Sequence, residues 1–261
     1  MCCPSATLVV WSAAWLAQRA APDDALDALL HWGHPQEIVA ADAGAASALE
    51  FERASSAAEL LAALRRNRAG SATLVLPAAG DVRGLGVPGP FARAALARGE
   101  AAVLDGLGLG IVPEQAPDNQ LIWTVYNAPE GGGGVTAGLA EAERELRDAV
   151  RASTSDLLAL EVASHRPEAH EAVRERLSSA QAPPWPEGMP PRAVGLLQRA
   201  DEVDAIVAMA AADEPGAALS ASAAEQRAAA LRPLASAVRT ARCAAVSEAV
   251  RVLGGYADRH R

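Results

Sequence analysis

Over the first 130 residues, the spacing of apolar positions switches repeatedly between the pattern typical of strands and the pattern typical of helices. The runs "QEIVAA" (36–41), "ATLVLPA" (72–78) and "QLIWTVYNA" (120–128) are short and rich in β-branched or aromatic residues, which predicts strands. Between them, "SAAELLAALRRNRAG" (56–70) repeats its apolar residues every three or four positions, which predicts a helix. Strands that take turns with helices are typical of helices packed on a small, partly parallel sheet, so we predict an α/β or α+β section.

Two other segments of this section carry mixed signals. The segment "TLVVWSAAWLAQRA" (7–20) begins with β-branched residues, which favours a strand, but Leu8, Trp11 and Trp15 recur at helical spacing, and we predict a helix. The segment "AAVLDGLGLGIVP" (101–113) predicts two short strands or one strand bent at a glycine.

The glycine run "EGGGG" (130–134) ends the alternation, and the later segments have helical periodicity. We therefore predict an α/β section over residues 1–130, a Gly-rich hinge over 131–136 and an all-helical bundle over 137–261. The apolar positions that define these helices are Leu139, Ala142, Leu146, Ala149, Ser153, Leu157 and Leu160, then Val173 and Leu177, then Val194, Leu197, Ala200, Val203 and Val207, and finally Leu234, Val238, Ala241, Ala245 and Leu253.

Prolines and glycines mark the boundaries of the helical section. The stretch "APPWPEGMPP" (182–191) predicts a stiff connector, in which Trp185 pins the chain. The last helix is predicted to start at Pro233, because proline interrupts a helix, and to stop at Gly254 and Gly255.

The charged composition narrows the function classes. The formal net charge is −9, and all 23 basic residues are arginines. Without lysine the chain has no P-loop lysine, no Schiff-base lysine and no Ser–Lys pair. An acidic chain without a basic tract also disfavours nucleic-acid binding, which depends on clustered cations.

Cysteine content and hydropathy bear on the compartment. Cys2, Cys3 and Cys243 do not suggest a disulfide framework, which fits a reducing compartment. The apolar part of residues 6–21 is shorter than a membrane span. We therefore expect a cytoplasmic protein that does not associate with membranes.

The stretch "LPAAGDVRGLGVPGPF" (76–91) is the most distinctive segment of the chain. It joins a predicted strand to a predicted helix, with Gly89 at the cap and Pro90 at the first helical position. The connection is about twice the usual length and starts at the carboxyl end of a strand, where α/β proteins bind ligands. Gly84 and Gly86 would let backbone N–H groups approach an anion, Arg83 would supply the counter-charge, and Asp81 would orient a hydroxyl or act as a base. In the alternative interpretation Asp81 and Arg83 bind each other or cap turns, and the loop is structural.

Asp105 opens the glycine-rich segment "DGLGLG" (105–110) and is a candidate for a second wall of the same cleft. The segment is not a dinucleotide fingerprint, because the third glycine is missing and a predicted strand follows it, so bulge glycines are the simpler interpretation. Trp123, Tyr126 and Asn127, near another strand end, would line a pocket or fill the core, and the core is favoured.

The sequence gives no indication of a metal or of a known cofactor. A helix is predicted from Pro22, with Gly33 as its stop, and His31 and His34 fall in its last turn. His165 and His170 surround a helix break. Neither pair has a third ligand at a recognised metal spacing. The nucleophile-elbow, zinc-protease, paired C-x-x-C and Walker motifs are also missing from the sequence.

Three segments carry a resemblance to a known group of proteins. They are "VLPAAGDVRGLGVPGPF", "GEAAVLDGLGLGIVP" and "LRPLASAVRTAR". They resemble an uncharacterised family of Ala- and Arg-rich proteins from high-GC, actinobacteria-like bacteria. The resemblance covers most of the chain and implies a shared fold, but no catalytic activity.

Two functional hypotheses follow. The first is a non-catalytic binding or regulatory module, whose apolar helical section offers a surface for a homo-oligomer or a protein partner. The second is an enzyme that acts on a small anionic metabolite bound at the loop over residues 78–90, with Arg83 holding the anion and Asp81 or Asp105 handling protons. A third class, a nucleic-acid accessory protein, would need an arginine-lined face.

Overall fold

The computed structural model of the protein describes residues 3–50, 55–67, 69–128, 137–159, 175, 183–212 and 221–255. The chain divides into two compact units. The α/β unit comprises Cys3–Thr136, Pro183–Pro190 and Val246–Arg261, and the helical unit comprises Met1–Cys2, Ala137–Ala182 and Pro191–Ala245. The domain boundaries expected from the sequence remain a prediction, and the "EGGGG" hinge lies outside the described residues.

The α/β unit contains most of the elements that the sequence predicts. In chain order they are α1 (Pro4–Leu16), α2 (Pro22–Leu30), β1 (Gln36–Ala40), α3 (Ala43–Leu49), α4 (Ala57–Arg66), β2 (Ala72–Val75), α5 (Pro90–Arg98), β3 (Ala101–Leu104), β4 (Leu109–Gln115) and β5 (Leu121–Asn127). The ambiguous segment at the start is a helix, as predicted, and the segment over residues 101–113 forms two strands. The helix α3 was not predicted.

The described strands form a single five-stranded sheet in the order β1-β5-β4-β3-β2. The pair β1 and β5 is parallel, and the other neighbours are antiparallel. The predicted fold class, a partly parallel sheet with helices followed by an all-helical section, is confirmed.

Alternation along the strands gives the sheet two apolar faces. One face carries Leu74, Ile111 and Trp123, and the helix α1 packs against the strands on this side. The opposite face carries Val103 and Val112 and is covered by α5. A helix layer on each side of a sheet buries both faces.

Local signals set the ends of two helices next to the sheet. At the start of α4, the Ser56 hydroxyl accepts a hydrogen bond from the N–H of Glu59, whose carboxylate accepts one from the N–H of Ser56. This reciprocal arrangement is a capping box. At the start of α5, Gly89 is the N-cap and Pro90 the first helical residue, as predicted from the sequence.

The helical unit contains α6 (Leu139–Ala159), α7 (Pro191–Ala212) and most of α8 (Ala221–Gly254). Its buried positions include Ala142, Leu146, Ser153, Ala193, Leu197, Ala200, Val203, Leu234, Val238, Ala241 and Ala245. Most of these belong to the stripes predicted from the sequence. The predicted helix around Val173 and Leu177 lies outside the described residues.

Pro233 does not start the last helix, and that prediction was wrong. It lies inside α8, which begins at Ala221. A proline in a helix interior removes one N–H donor and crowds the carbonyl four residues earlier. Close to this point the buried hydroxyl of Ser153 donates to the carbonyl of Ala230 at 2.9 Å. The neighbouring helix α6 thus supplies a hydrogen bond next to the backbone hydrogen bond that Pro233 cannot form.

The described helices were compared with the length and hydropathy that a membrane span requires. None of them combines sufficient length with a sufficiently apolar composition.

The helices α6 and α7 are joined by a two-point ion pair. Glu143 accepts hydrogen bonds from Nε and Nη2 of Arg192 at 2.8 and 2.6 Å. These bonds hold the pKa of the Glu143 carboxyl below its ordinary value, although partial burial opposes the shift. The ionised carboxylate is therefore the form that the folded protein prefers.

We expect Arg192→Met to return the Glu143 pKa to its ordinary value, as measured by NMR titration of the side-chain carboxyl. Because the folded-state pKa is depressed, the pair stabilises fully above the unfolded-state value of 4.5, and the stabilisation is lost as the pH falls through the lower folded-state value. Arg192 is largely exposed, so the loss is less than about 1 kcal/mol. Arg144→Met, on the exposed face of α6, is the control and should leave the Glu143 titration unchanged.

Candidate functional site

The loop that follows β2 is built from two consecutive tight turns. Ala78 and Asp81 exchange backbone hydrogen bonds of 2.9 and 2.8 Å, and Gly80, the third residue of this turn, has a φ of +83°. In the second turn the N–H of Leu85 donates to the carbonyl of Val82 at 3.2 Å. Turns of this kind need a residue that tolerates a positive φ at the third position, which glycine does without strain.

The structure brings Asp81 and Arg83 together. The two Asp81 carboxylate oxygens accept hydrogen bonds from Nε and Nη2 of Arg83, both at 2.8 Å. The carboxylate is 18% exposed and the guanidinium side chain 74% exposed. This two-point pairing spans the junction of the two turns, so a ligand anion would have to compete with Asp81 for these arginine donors. The assignment of either side chain to ligand binding remains a prediction.

Gly84 and Gly86 shape the chain on either side of a buried anchor. Both have left-handed backbone conformations, with φ values of +81° and +69°. A side chain at either position would be strained, so the backbone geometry of the loop is enough to account for both glycines. The anion-binding role expected of their N–H groups remains a prediction.

Leu85 anchors the loop to the sheet, and one valine before it and one after it face solvent. The Leu85 side chain is buried in a cluster with Phe91 and Val75. Val82 and Val87 are 57% and 62% exposed. The loop therefore presents two apolar side chains to solvent on a backbone that two turns, one ion pair and one buried leucine hold in place.

Asp105 lies at the other end of β2 from this loop. Its carboxylate accepts hydrogen bonds from the hydroxyls of Ser71 and Thr73, both at 2.9 Å. The antiparallel pairing of β2 with β3 places these contacts at the start of β2, whereas the loop leaves from its end. A strand of this length separates the two by about 13 Å. The expectation that Asp105 forms a second wall of the same cleft was wrong, and any separate ligand role for it remains a prediction.

The segment "DGLGLG" forms the turn between β3 and β4. Gly106 and Gly108 have φ values of +81° and +63°, as a tight turn requires. Gly110 lies within β4, where a Cβ atom would meet the ring of Phe91. The glycines serve a turn and a close contact, and the segment does not open a helix as a dinucleotide-binding loop does.

The aromatic residues of β5 belong to the core, as predicted. Trp123 is buried, and its N–H donates to the side-chain oxygen of Gln36 at 3.0 Å. The Tyr126 ring lies 6.3 Å from that of Phe91. The Asn127 amide donates to Asp42, which caps α3.

The described residues contain no cluster of metal ligands, and the small hollow that they line lies away from the loop. Within the described ranges, no three His, Cys, Asp or Glu side chains lie close enough to hold a metal ion. His165, His170 and His260 lie outside those ranges. A small apolar hollow of about 10 Å³ lies between the ends of α1 and α4 and the start of β2. It has room for about one water molecule and lies at the opposite end of β2 from the loop.

Sequence reasoning missed the parts of the site that matter most for its shape. Leu85, Val82 and Val87 all lie in the stretch over residues 76–91, but only its charged residues and glycines were assigned roles from the sequence. The available signal was three branched apolar residues within a glycine-rich loop, where solvent-exposed loops normally carry polar side chains. Which of the three is buried depends on the turn geometry.

The fold and the loop define a class of protein: a mixed α/β unit with an elaborated surface loop, joined to an all-helical unit. Comparison with known proteins places the chain within a family. Residues 5–136 match the N-terminal domain of Rv1486c-like proteins, and residues 140–243 match the C-terminal domain of the same family. The chain belongs to the Rv1486c-like family.

Relatives in mycobacteria are similar over most of their length. The uncharacterized protein Rv1486c of Mycobacterium tuberculosis (strain H37Rv) is 36% identical over 243 residues, covering 81% of this chain and 84% of the relative. An uncharacterized protein of Mycobacterium leprae is 34% identical and covers 80% of this chain and 85% of its own. No solved structure matches the chain. The resemblance to an uncharacterised family of high-GC bacteria is confirmed.

Proposed function

We propose that this protein is a non-catalytic interaction module, and that the loop over residues 78–90 is the element that contacts a partner protein. The observation that carries this proposal is the pair of exposed valines, Val82 and Val87, on either side of the buried Leu85. Because the turns fix the backbone in advance, little conformational entropy is lost when a partner covers the valines.

The charged residues of the loop support this role better than they support catalysis. Asp81 and Arg83 bind each other at two points, which holds the loop in shape. The competing hypothesis, an enzyme acting on an anionic metabolite, would use Arg83 to hold the anion and Asp81 or Asp105 to move protons. The structure separates Asp105 from the loop and engages Arg83 with Asp81, so this hypothesis has less support.

We expect a photoreactive amino acid at position 87 to cross-link to a partner protein when the full chain is expressed in mycobacterial cells. The same label at Ala62, an exposed position on α4, is the control and should give no product. Adding Val82→Asp should abolish the cross-link, because a charge in an apolar contact must be desolvated. With the recovered partner, Val82→Asp should weaken binding at least tenfold by biolayer interferometry.

The predicted contact through the helical section is tested in the same experiment. A label at Ile206, which is 51% exposed on α7, reports on that section. A product from position 206 together with none from position 87 would contradict the loop proposal and favour the helical surface. Light scattering of the purified chain tests the homo-oligomer expected from the sequence.

A further inference from the structure

The proline-rich connector contacts the α/β unit rather than spanning free solvent. Residues 183–190, here called the strap, belong to the α/β unit, although the chain on both sides of them belongs to the helical unit. Pro183, Pro186 and Met189 of the strap are buried. A connector that served as a simple spacer would not need to bury three apolar side chains.

The sequence of the strap prescribes an extended conformation. Proline fixes φ near −65°, and a residue that precedes proline is driven into the β or polyproline II region. In "PPWP" (183–186), Pro183 and Trp185 each precede a proline. Beyond this stretch, the N–H of Met189 donates to the carbonyl of Pro186 at 3.2 Å, and Gly188 has a φ of +86°. The sequence thus favours a polyproline-type conformation for "PPWP", and the strap ends in a turn.

The side chain that holds the strap is Trp11 of α1. Its indole N–H donates to the carbonyl of Pro184 at 3.2 Å, across 173 residues of sequence. A proline-rich backbone has unused carbonyl acceptors, because it forms no hydrogen bonds within itself. Grooves that recognise such segments are lined with aromatic rings, against which the prolines dock. The contact between Trp11 and the strap supplies the donor for one such carbonyl, while the ring of Pro184 itself is exposed.

The end of α1 supplies a second contact with the strap. The helix ends in a Schellman motif, in which the N–H of Arg19 donates to the carbonyl of Ala14 at 2.8 Å and Gln18 takes a left-handed conformation. The motif places the guanidinium of Arg19 directly against Gly188, so closely that a Cβ atom there would collide with it. Trp11 of α1 and Arg19, three residues after its end, therefore contact the strap at Pro184 and Gly188.

We infer that the surface formed by Trp11 and Arg19 is a recognition site for proline-rich segments, and that the strap occupies it as an intramolecular ligand. The ligand class is a polyproline-type peptide that presents a carbonyl to the indole N–H and a glycine to the guanidinium. This site is separate from the loop of the proposed function, and it would give the interaction module a second, self-occupied surface.

The test displaces the strap and supplies the same segment as a separate peptide. Gly188→Val, in the full chain, introduces a branched side chain where the backbone is left-handed and where the Arg19 guanidinium must also move, so we expect it to displace the strap without changing the sequence of α1. The probe is the fluorescein-labelled peptide PPWPEGMP, which copies residues 183–190. By fluorescence anisotropy, we expect it to bind the Gly188→Val protein at least tenfold more tightly than the wild-type protein, whose site is already filled.

Two controls define the recognition chemistry. The peptide AAWAEGMA keeps the tryptophan but loses the prolines, and it should not bind. Trp11→Phe, added to Gly188→Val, keeps an aromatic ring but loses the N–H donor, and it should weaken binding of PPWPEGMP about tenfold. Circular dichroism confirms that each variant is folded. If Gly188→Val does not fold, substitution of Pro183, Pro184 and Pro186 by serine displaces the strap in its place.

The outcomes that contradict this inference do not bear on the proposed function of the loop. A folded variant that does not bind the peptide, or binding that is indifferent to the prolines or to Trp11, shows that the strap is a structural connector. None of these variants changes Val82 or Val87, so the cross-linking result at position 87 is independent of them.

Discussion

Replacing Gly110 with alanine is expected to lower the free energy of unfolding by about 2–3 kcal/mol. Gly110 lies in β4 beneath the buried ring of Phe91, and a Cβ atom there would come within 2.6 Å of Cδ2 and still closer to Cε2. The ring is buried in one cluster with Val103 and Val112, so moving it away from a new methyl group disturbs their packing. The measurement is urea denaturation followed by tryptophan fluorescence, since all five tryptophans belong to the α/β unit.

A glycine-to-alanine substitution in the helix α7 should change the free energy of unfolding in the opposite direction. Gly195 is exposed in the interior of α7, and a Cβ atom there would meet nothing within 4 Å. Gly195→Ala should therefore raise the stability, measured by circular dichroism, by about 0.5–1 kcal/mol, because alanine loses less conformational entropy in a helix. A similar loss at both sites would show that the Phe91 contact is not the cause.

A double-mutant cycle assigns the effect of Gly110→Ala to the ring. Phe91→Leu alone should destabilise the protein, because it leaves part of the space above Gly110 empty. In combination with Gly110→Ala, the new methyl group enters that space, and the double variant should be at least about 1 kcal/mol more stable than the sum of the single effects predicts. Strict additivity would contradict the close contact. Since Leu85 packs in the same cluster, these variants should also loosen the loop.

Much of the α/β unit could be predicted because local signals and tertiary context agree there. Gly89 and Pro90 mark the start of α5 in the sequence, and the structure places them at the N-cap and first position. The helix α3 is the exception: its sequence, "AGAASAL", has no apolar stripe. Its one visible signal is Asp42, whose side chain accepts from the N–H of Ala45 at 2.9 Å.

The error at Pro233 has a different cause. The rule that proline ends a helix considers the backbone donors of one segment alone. Pro233 removes the backbone donor for the carbonyl of Ala229, and the adjacent carbonyl of Ala230 accepts a hydrogen bond from Ser153 of α6. Ser153 and Ala230 are 77 positions apart in the sequence. A contact of this kind cannot be inferred from local spacing.

The sequence predicted the position of the candidate site but not the contacts within it. The length and glycine content of the loop were sufficient to single it out, and the pairing of Asp81 with Arg83 was one of two interpretations that the residues allowed. The position of Asp105 required the strand pairing, because placing a strand antiparallel moves its end to the other edge of the sheet. The contact of the strap with Trp11 could not be predicted either, because it joins distant parts of the chain. Trp185 was expected to pin the connector, whereas Trp11, 173 residues before Pro184, supplies the hydrogen bond.

Replacing Arg242 with methionine is expected to destabilise the helical unit by about 2–3 kcal/mol. Arg242 of α8 donates from Nη2 to Asp201 at 2.7 Å and to Asp204 at 3.0 Å, both on α7. Its side chain is 12% exposed and that of Asp201 17%. Burial disfavours the guanidinium charge, but the two carboxylates outweigh it and raise the pKa of Arg242 above its ordinary value.

The loss of stability in Arg242→Met comes mainly from the buried carboxylate that loses its cation. Methionine fills much of the same volume, but Asp201 stays largely buried without its cation, whereas Asp204, 44% exposed, regains water. Arg242→Lys, which keeps the charge but not the two-point geometry, should fall between wild type and methionine. Arg199→Met, on the exposed face of α7, is the matched control and should change stability by less than about 0.5 kcal/mol. The measurement is urea denaturation by far-ultraviolet circular dichroism, and an Arg242→Met protein as stable as the control would show that hydrophobic packing alone joins α7 to α8.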